Sequence, residues 1–367
     1  MKTVCEKNKC AGCMACVDIC PKQAIEVKDE LSFYNAEIND KCIDCGLCHK
    51  VCPQNNTPML SKPKVWYQGW AKDRDVRETS SSGGFATAIS LSFVENGGIV
   101  YTCRFDNGMF TFAKASNIEE VKKFKGSKYV KSNPRGVYER IKKDLLDGRN
   151  ILFIGLPCQV AALVNSVGSV DRGELYTVDL ICHGTPSPKL LEYFLKKYHR
   201  PLSSIKNISF RKNNKMQIWG DNEGIVTKGA SDKYTIAFLK GLTYTENCYK
   251  CLFARIERVS DLTLGDSWGS EINEEKDKGI SLALCQTDKG KELLQKANVE
   301  LKNVDLDIAI MNNQQLSKPF VVPKSRENYF KSIKKGKTFN REVFKCFPKD
   351  CIKQDVKRVM IKLRLAK

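Results

Sequence analysis

Three features of this 367-residue sequence predict a two-part fold, a small α+β module followed by a larger α/β domain. The first is a cysteine phrase written twice, Cys10-x2-Cys13-x2-Cys16-x3-Cys20-Pro21 and Cys42-x2-Cys45-x2-Cys48-x3-Cys52-Pro53. The second is the polar, proline-bearing stretch behind it, from Gln54 to Lys64. The third is the alternation of strand and helix patterns from Val65 onward, the sign of layered α/β architecture.

The doubled phrase is the bacterial ferredoxin ligand pattern for two [4Fe–4S] clusters. Soft thiolates at these spacings wrap three corners of a cube from one tight loop, and the proline-flanked fourth cysteine reaches across to the other cube. Cys10, Cys13, Cys16 and Cys52 are therefore expected to hold the first cluster, and Cys42, Cys45, Cys48 and Cys20 the second. A zinc ribbon explains CxxC pairs but leaves the third cysteine of each run and the Cys-Pro unused. A disulfide framework suits short secreted domains, and Met1 to Lys9 has no apolar core of a secretory signal. Seventeen cysteines, an odd number, fit a reducing compartment, so the cytoplasm is the expected location. Between the motifs, Ala24–Val27 and Ala36–Ile38 read as the short strands of a ferredoxin-like dicluster module over residues 1–57, with a linker at 58–64.

The remaining 300 or so residues suffice for one large or two medium domains. Val65 to Ala71 reads as a strand. Ser80-Ser81-Ser82-Gly83-Gly84 turns into a helix over Phe85 to Val94, and Ile99 to Cys103 resumes strand character. Gly136 to Asp147 is an amphipathic helix, with Val137, Ile141, Leu145 and Leu146 at helical spacing and Gly148 as its stop. Three later strands end in loops of reactive or conformationally special residues: Ile151–Ile154 before Gly155-Leu156-Pro157-Cys158-Gln159, Tyr176–Ile181 before Cys182-His183-Gly184, and Leu262–Leu264 before Gly265-Asp266-Ser267-Trp268-Gly269. Open α/β sheets bind ligands beyond the carboxyl ends of their strands, so these loops are the expected rim of a site. Residues 65–145 and 146–290 form the two parts of this domain, and 291–367 read as a basic helical region.

Further chemistry is sparser. Cys248 and Cys251 form a distant CxxC, and with Cys158 and Cys182 they make a candidate four-thiolate set for a third [4Fe–4S] cluster. A redox-active CxxC, a zinc site and unrelated thiols are the alternatives. Cys103 and Cys285 read as small core hydrophobes, while Cys5, Cys346 and Cys351 have no assigned role. The serine–glycine turn suits phosphate or flavin contact, because glycines let backbone approach and a helix N-terminus favours anions, but it equally suits a plain capping turn. Lys125-Gly126-Ser127-Lys128-Tyr129 offers two cations, a hydroxyl and a ring, or a solvated turn. Neither stretch matches the dinucleotide GxGxxG or the Walker loop, so an ordinary nicotinamide site is not indicated. Of the three histidines only His183 lies on the expected rim, where turn stabilisation competes with proton delivery.

The succession SSSGG, KGSKYV, LPCQ, CHGTPSP, NCYKC and DLTLGDSWG, in order over residues 1 to about 290 with the dicluster module, resembles the coenzyme F420 hydrogenase/dehydrogenase beta-subunit family. The resemblance implies a bound FAD, and hence an α/β flavin-binding domain, together with a deazaflavin or comparable two-electron partner. It also implies a flavin-domain cluster on cysteines like those of LPCQ and CxxC, with Cys182 the least secure ligand. Ser81, Ser82, Gly83, Gly84, Lys125, Ser127 and Lys128 become candidate flavin contacts, with Asp266 and Trp268 in the same pocket. The expected function is an iron–sulfur flavoprotein oxidoreductase that passes electrons between a one-electron carrier and a two-electron acceptor. The alternative is a non-catalytic electron-transfer subunit of a hydrogenase or dehydrogenase complex, since shared fold does not fix substrate.

The formal charge of +19, from 61 Lys and Arg against 42 Asp and Glu, resembles a nucleic-acid signature. Each cluster with its thiolates carries roughly two negative charges, so bound cofactors offset about half of it. The lysines are spread along the chain, which favours a solvated face or docking of an acidic ferredoxin or flavodoxin over nucleic acid. The longest apolar run, Ile151 to Gly155, is strand-sized and excludes a membrane-spanning reading.

Overall fold

The computed structural model describes residues 2–212, 215–221, 223–225 and 230–363. In the cysteine-rich module, strands β1 (Lys2–Thr3), β2 (Ile25–Asp29) and β3 (Tyr34–Ile38) form an antiparallel sheet in the order β1-β3-β2. Both strands expected between the motifs are present. Each cysteine run turns into a short helix, Ala15–Asp18 and Leu47–Val51, from a left-handed residue, Met14 at φ 62° and Gly46 at φ 72°. Those reversals fold the three-cysteine loop back on itself. Val4, Ile25, Tyr34, Ala36 and Ile38 pack beneath the cysteines as the module's core.

The larger part is a mixed α/β layer. Its eight strands are β4 (Val65–Ala71), β5 (Ile99–Asp106), β6 (Met109–Ala115), β7 (Ile151–Gly155), β8 (Leu175–Leu180), then β12 (Leu262–Asp266), β13 (Ser281–Cys285) and β14 (Val299–Lys302). The intervening β9 (Ile208–Lys212), β10 (Lys215–Gly220) and β11 (Glu223–Gly224) form a separate antiparallel sheet. The main sheet runs β14-β4-β13-β12-β8-β7-β5-β6. β12, β8, β7 and β5 are mutually parallel, and the flanking pairings are antiparallel. The Ile151–Ile154 run is apolar throughout because both faces of the sheet are covered. Leu152 and Ile154 join Phe85, Ile89 and Leu294 on one side, while Ile151 and Phe153 join Val137, Ile141 and Leu163 on the other.

The helix Arg74–Thr79, the β5–β6 hairpin through Asn107-Gly108, the small β9–β11 sheet and the antiparallel edge strand β14 were not anticipated, while β13 carries the strand pattern expected around Cys285. The basic region after residue 290 is therefore not purely helical, since Val299–Lys302 pairs with β4 before the helices Leu306–Asn312, Arg326–Lys334, Phe339–Cys346 and Pro348–Lys362 follow. The last three pack with Pro188–Lys196, Lys233–Leu239 and the small sheet around Phe194, Phe210, Tyr234 and Phe339. Among the described residues no helix is long and apolar enough to cross a membrane.

Candidate functional site

The parallel strands deliver their carboxyl ends to one rim, as expected of such a sheet. Cys158 follows β7 in the first turn of helix Pro157–Val167, whose leading proline has its φ preset for that position. Gln159 secures this turn: its Oε1 accepts from the Leu156 N–H at 2.9 Å and its Nε2 donates to Ser132 Oγ at 3.0 Å. Cys182 follows β8. The loop behind it is tied to the CxxC segment by the Thr245 N–H, which donates to the Thr185 carbonyl at 3.0 Å. Cys248 lies within reach of two hydroxyls, Thr245 Oγ1 at 3.5 Å and Thr185 Oγ1 at 3.9 Å.

The four cysteines are neighbours. Burial pushes the Cys182 thiol up, and Cys248, Cys158 and Cys251 push in the same direction. Burial also raises Cys158, against the charge of Lys131 and together with Cys251, Cys13 and Cys248. Cys13 belongs to the N-terminal module, so this set adjoins the first cysteine run. Buried Tyr138 stands at the junction, its hydroxyl donating to the Cys13 carbonyl at 2.8 Å.

Within the module the eight cysteines of the two runs divide between two cavities. One is lined by Cys10, Cys13, Cys16 and Cys52, together with Cys5, Val4, Ala36 and Pro53. The other is lined by Cys20, Cys42, Cys45 and Cys48. Each collects three thiols of one run and the Cys-Pro thiol of the other, the grouping expected from the motif. Backbone amides point at the sulfurs: Gly12 N to Cys10 Sγ at 3.4 Å, Ala24 N to Cys20 Sγ at 3.3 Å, and Asp44 N to Cys42 Sγ at 3.4 Å. Neither wall carries a carboxylate or imidazole, so the donor chemistry fits thiolate-bound iron–sulfur cubes. Cys5, without a role in the sequence reading, is a fifth thiol in the first cavity. Cys351 and Cys285 are core residues, and Cys346 is half-buried.

Above the sheet rim lies a large pocket with about 1790 Å³ of free space, part of it open to solvent. Seven of the nine expected flavin contacts line it: Ser81, Ser82, Gly84, Ser127, Lys128, Asp266 and Trp268. Gly83 and Lys125 do not. Gly83 lies beneath the turn, packed so closely on β4 and β13 that a Cβ there would stand 2.3 Å from the Gly69 carbonyl oxygen. Lys125 turns away and donates to Thr79 Oγ1 at 2.7 Å. Cys103 packs against the core from β5, as expected, and also lines the pocket.

The turn is well braced. Ser81 Oγ accepts from the Ser127 N–H at 2.8 Å, joining the two expected contact segments, and Ser82 Oγ donates to the Ile280 carbonyl at 2.7 Å. Gly84 starts the helix at φ 87°, a conformation that favours glycine. Lys128 donates to the carbonyls of Phe124 and Lys125, and burial lowers its ammonium pKa. His183 is exposed on the pocket wall.

Three wall or support residues were missed in the sequence. Arg211 on β9 is 2.8 Å from both Asp266 oxygens and lies over the Trp268 ring. Burial works against its charge, yet Asp266 and Tyr129 hold its pKa above the ordinary value. Arg258 and Asp179 form a buried pair beneath the Cys182 loop. No local pattern marks either arginine, because their partners lie 55 and 79 residues away.

The profile described as coenzyme F420 hydrogenase/dehydrogenase, beta subunit N-term, matches residues 66–135, and its C-terminus counterpart matches 148–307. The 4Fe-4S dicluster domain profile matches residues 9–56. No curated protein matches the chain. Among solved structures, a chain in the xenon-derivatised F420-reducing [NiFe] hydrogenase complex from Methanosarcina barkeri is 22% identical, with a TM-score of 0.48 over 70% of this chain and 92% of that one. By the profiles, which together span well over half of its length, this chain belongs to the coenzyme F420 hydrogenase/dehydrogenase beta-subunit family and carries a 4Fe–4S dicluster domain ahead of the family's two conserved parts.

Proposed function

We propose that this protein is an oxidoreductase that passes electrons between a one-electron carrier docked on its N-terminal module and a two-electron acceptor such as coenzyme F420 at the large pocket. The cofactors supply the redox chemistry: iron–sulfur clusters carry single electrons, and FAD exchanges either one electron or a hydride. The protein's own residues hold and order them. Cys10, Cys13, Cys16 and Cys52 would hold the first cluster, Cys20, Cys42, Cys45 and Cys48 the second, and Cys158, Cys182, Cys248 and Cys251 a third. Ser81, Ser82, Ser127 and Lys128 would bind the flavin dinucleotide, and Arg211 pairs with Asp266 on the wall of the same pocket. His183 is the candidate for holding a proton at the pocket wall.

One observation carries the reading. The exposed Cys45 belongs to the second cavity, Cys13 of the buried first cavity neighbours Cys158, and Cys182, in the same set as Cys158, lines the pocket. The test is iron and flavin per chain after anaerobic purification. About twelve irons with one FAD supports the scheme, about eight removes the third cluster, and protein without flavin refutes the mechanism. A second reading, an electron-transfer subunit feeding a partner, is favoured by the exposed Ile352, Val356 and Val359 on helix Pro348–Lys362. Reduction of free F420 by the isolated protein would argue against it.

A further inference from the structure

Lys131 is buried, only 5% exposed, in the connection between the Lys125–Tyr129 segment and helix Val137–Leu146. Its backbone N–H donates to the Pro186 carbonyl at 2.9 Å, which fixes it to the loop after β8. Its side chain points the other way, into the N-terminal module. Nζ donates to the Ala11 carbonyl at 2.9 Å, inside the first cysteine run, and lies 5.3 Å from the centre of the Tyr34 ring. The stem passes Gly12 so closely that a Cβ on that residue would stand 3.0 Å from Lys131 Cδ.

An ammonium carries three N–H donors and a full charge. Buried charges are paired with counter-charges, because an isolated one is far too costly to desolvate. Among the described residues no carboxylate forms an ion pair with Lys131, and the Ala11 carbonyl is a neutral acceptor. Thiols of two sets flank it: Nζ sits at the carbonyl of Ala11, next to Cys10, and the following residue, Ser132, accepts from Gln159, next to Cys158. Four thiolates around an iron–sulfur core leave a net negative cluster, and that is the counter-charge this site lacks.

We propose that Lys131 is a fixed counter-cation between the first cluster and the flavin-domain cluster, one that makes both easier to reduce and leaves the second cluster untouched. The inference rests on the ligand sets proposed above. Reduction adds one negative charge to a cluster, and a cation held nearby stabilises the reduced form more than the oxidised one. Cluster potentials respond to local charge, hydrogen bonding and solvent exposure, and a buried site screens the charge weakly. Lys131 is thus a positioning residue that sets the order of potentials along the path.

The experiment is an EPR-monitored redox titration of anaerobically purified wild-type protein, Lys131→Met, Lys131→Gln and Lys131→Arg, each with its iron content measured. In the Met and Gln variants, reduction of the first cluster is expected to be at least tenfold less favourable, about 59 mV for a one-electron couple. The flavin-domain cluster should shift the same way by less, and the second cluster should not move. Lys131→Arg, which keeps the charge, should restore the wild-type order. Should Lys131→Met lose iron, the Gln and Arg pair decides, since both are polar and only one is charged. Full iron with unmoved potentials in the charge-free variants, or an equal shift of all clusters, overturns the inference. Wild-type protein without clusters refutes the ligand assignment itself.

Discussion

On the ligand sets proposed above, replacing Arg258 with Met should empty the Cys158, Cys182, Cys248 and Cys251 set while leaving the two N-terminal clusters in place. Arg258 is 2% exposed and Asp179 fully buried. The guanidinium lies 3.2 Å from Asp179, donates to the Leu180 carbonyl at 2.7 Å, two residues before Cys182, and donates to the Phe253 carbonyl at 2.6 Å, two residues after Cys251. Its backbone also pairs with Ser61 of the linker. At this separation and an effective dielectric of about 20, the attraction is about 5 kcal/mol. Desolvation of two ions offsets most of that, so the intact pair contributes little net stability. Removing one partner is different, because an uncompensated buried carboxylate costs about 3–5 kcal/mol. Burial already pushes the Asp179 carboxyl up against the opposing pull of Arg258, and the variant keeps the burial with only the Thr263 and Ser260 hydroxyls set against it. The penalty falls on the two loops that carry Cys182, Cys248 and Cys251, so local opening relieves it. Iron is expected to drop from about twelve to about eight per chain, with a lower unfolding midpoint. Adding Asp179→Asn should recover part of the loss, because the stranded charge is gone. Wild-type iron and an unchanged midpoint in Arg258→Met would refute the clamp.

Two further outcomes follow from the packing. Gly83→Val places side-chain atoms against Gly69 O and Ser281 N, which already lie 2.3 and 2.7 Å from a Cβ position, at a cost of at least about 1–3 kcal/mol. The displaced turn carries Ser81 and Ser82, so flavin retained through gel filtration should fall while N-terminal iron is kept, and equal retention would count against the turn as a flavin contact. Asp144 has burial working to raise its pKa, but the Tyr101 hydroxyl at 2.6 Å and the Lys114 ammonium at 2.9 Å outweigh it, so it sits below the ordinary carboxylate value. Its contribution, about 1–2 kcal/mol, is present above the unfolded-state value and lost as pH falls through the folded one. Urea midpoints of wild type and Asp144→Asn should therefore differ at neutral pH and converge in acid.

What was legible in the sequence is what is local in the chain. The cysteine runs fix their own grouping because ligand spacing and left-handed turns act within a dozen residues, and the buried β7 run announces a sheet covered on both faces. The β5–β6 hairpin carried a readable sign, Asn107-Gly108 with φ of 48° and 77°, the dipeptide that two-residue hairpin turns favour. β14 offered four residues, too few for a period to show. Lys131 and Arg258 were illegible for another reason. Each is an ordinary basic residue whose importance comes from partners 120 and 79 positions away, and charge patterning along a chain holds no trace of such pairings. Gly83 and Lys125 show the converse, since a motif marks a region without marking which of its residues face the pocket.

The thiol sets also differ in exposure, and that difference bears on where electrons enter in the proposed path. All five cysteines of the first cavity are buried, whereas Cys45 of the second is exposed, with Ile43 and Leu47 exposed beside it. An apolar patch next to an exposed ligand suits a transient carrier, because brief contact there brings the carrier's redox centre close to the cluster. Lys22, Lys41 and Lys50 are exposed on the same module and favour an acidic carrier. Lys131 stands at the opposite end of the module, against the first cavity. On the proposed ligand sets, a cation there would favour electrons on the first cluster over the second, and charge arriving at the surface would be drawn inward toward Cys158 and the pocket. Entry at the exposed cluster and attraction at the buried one are separate devices, built from side chains in different parts of the chain, and they act in the same direction.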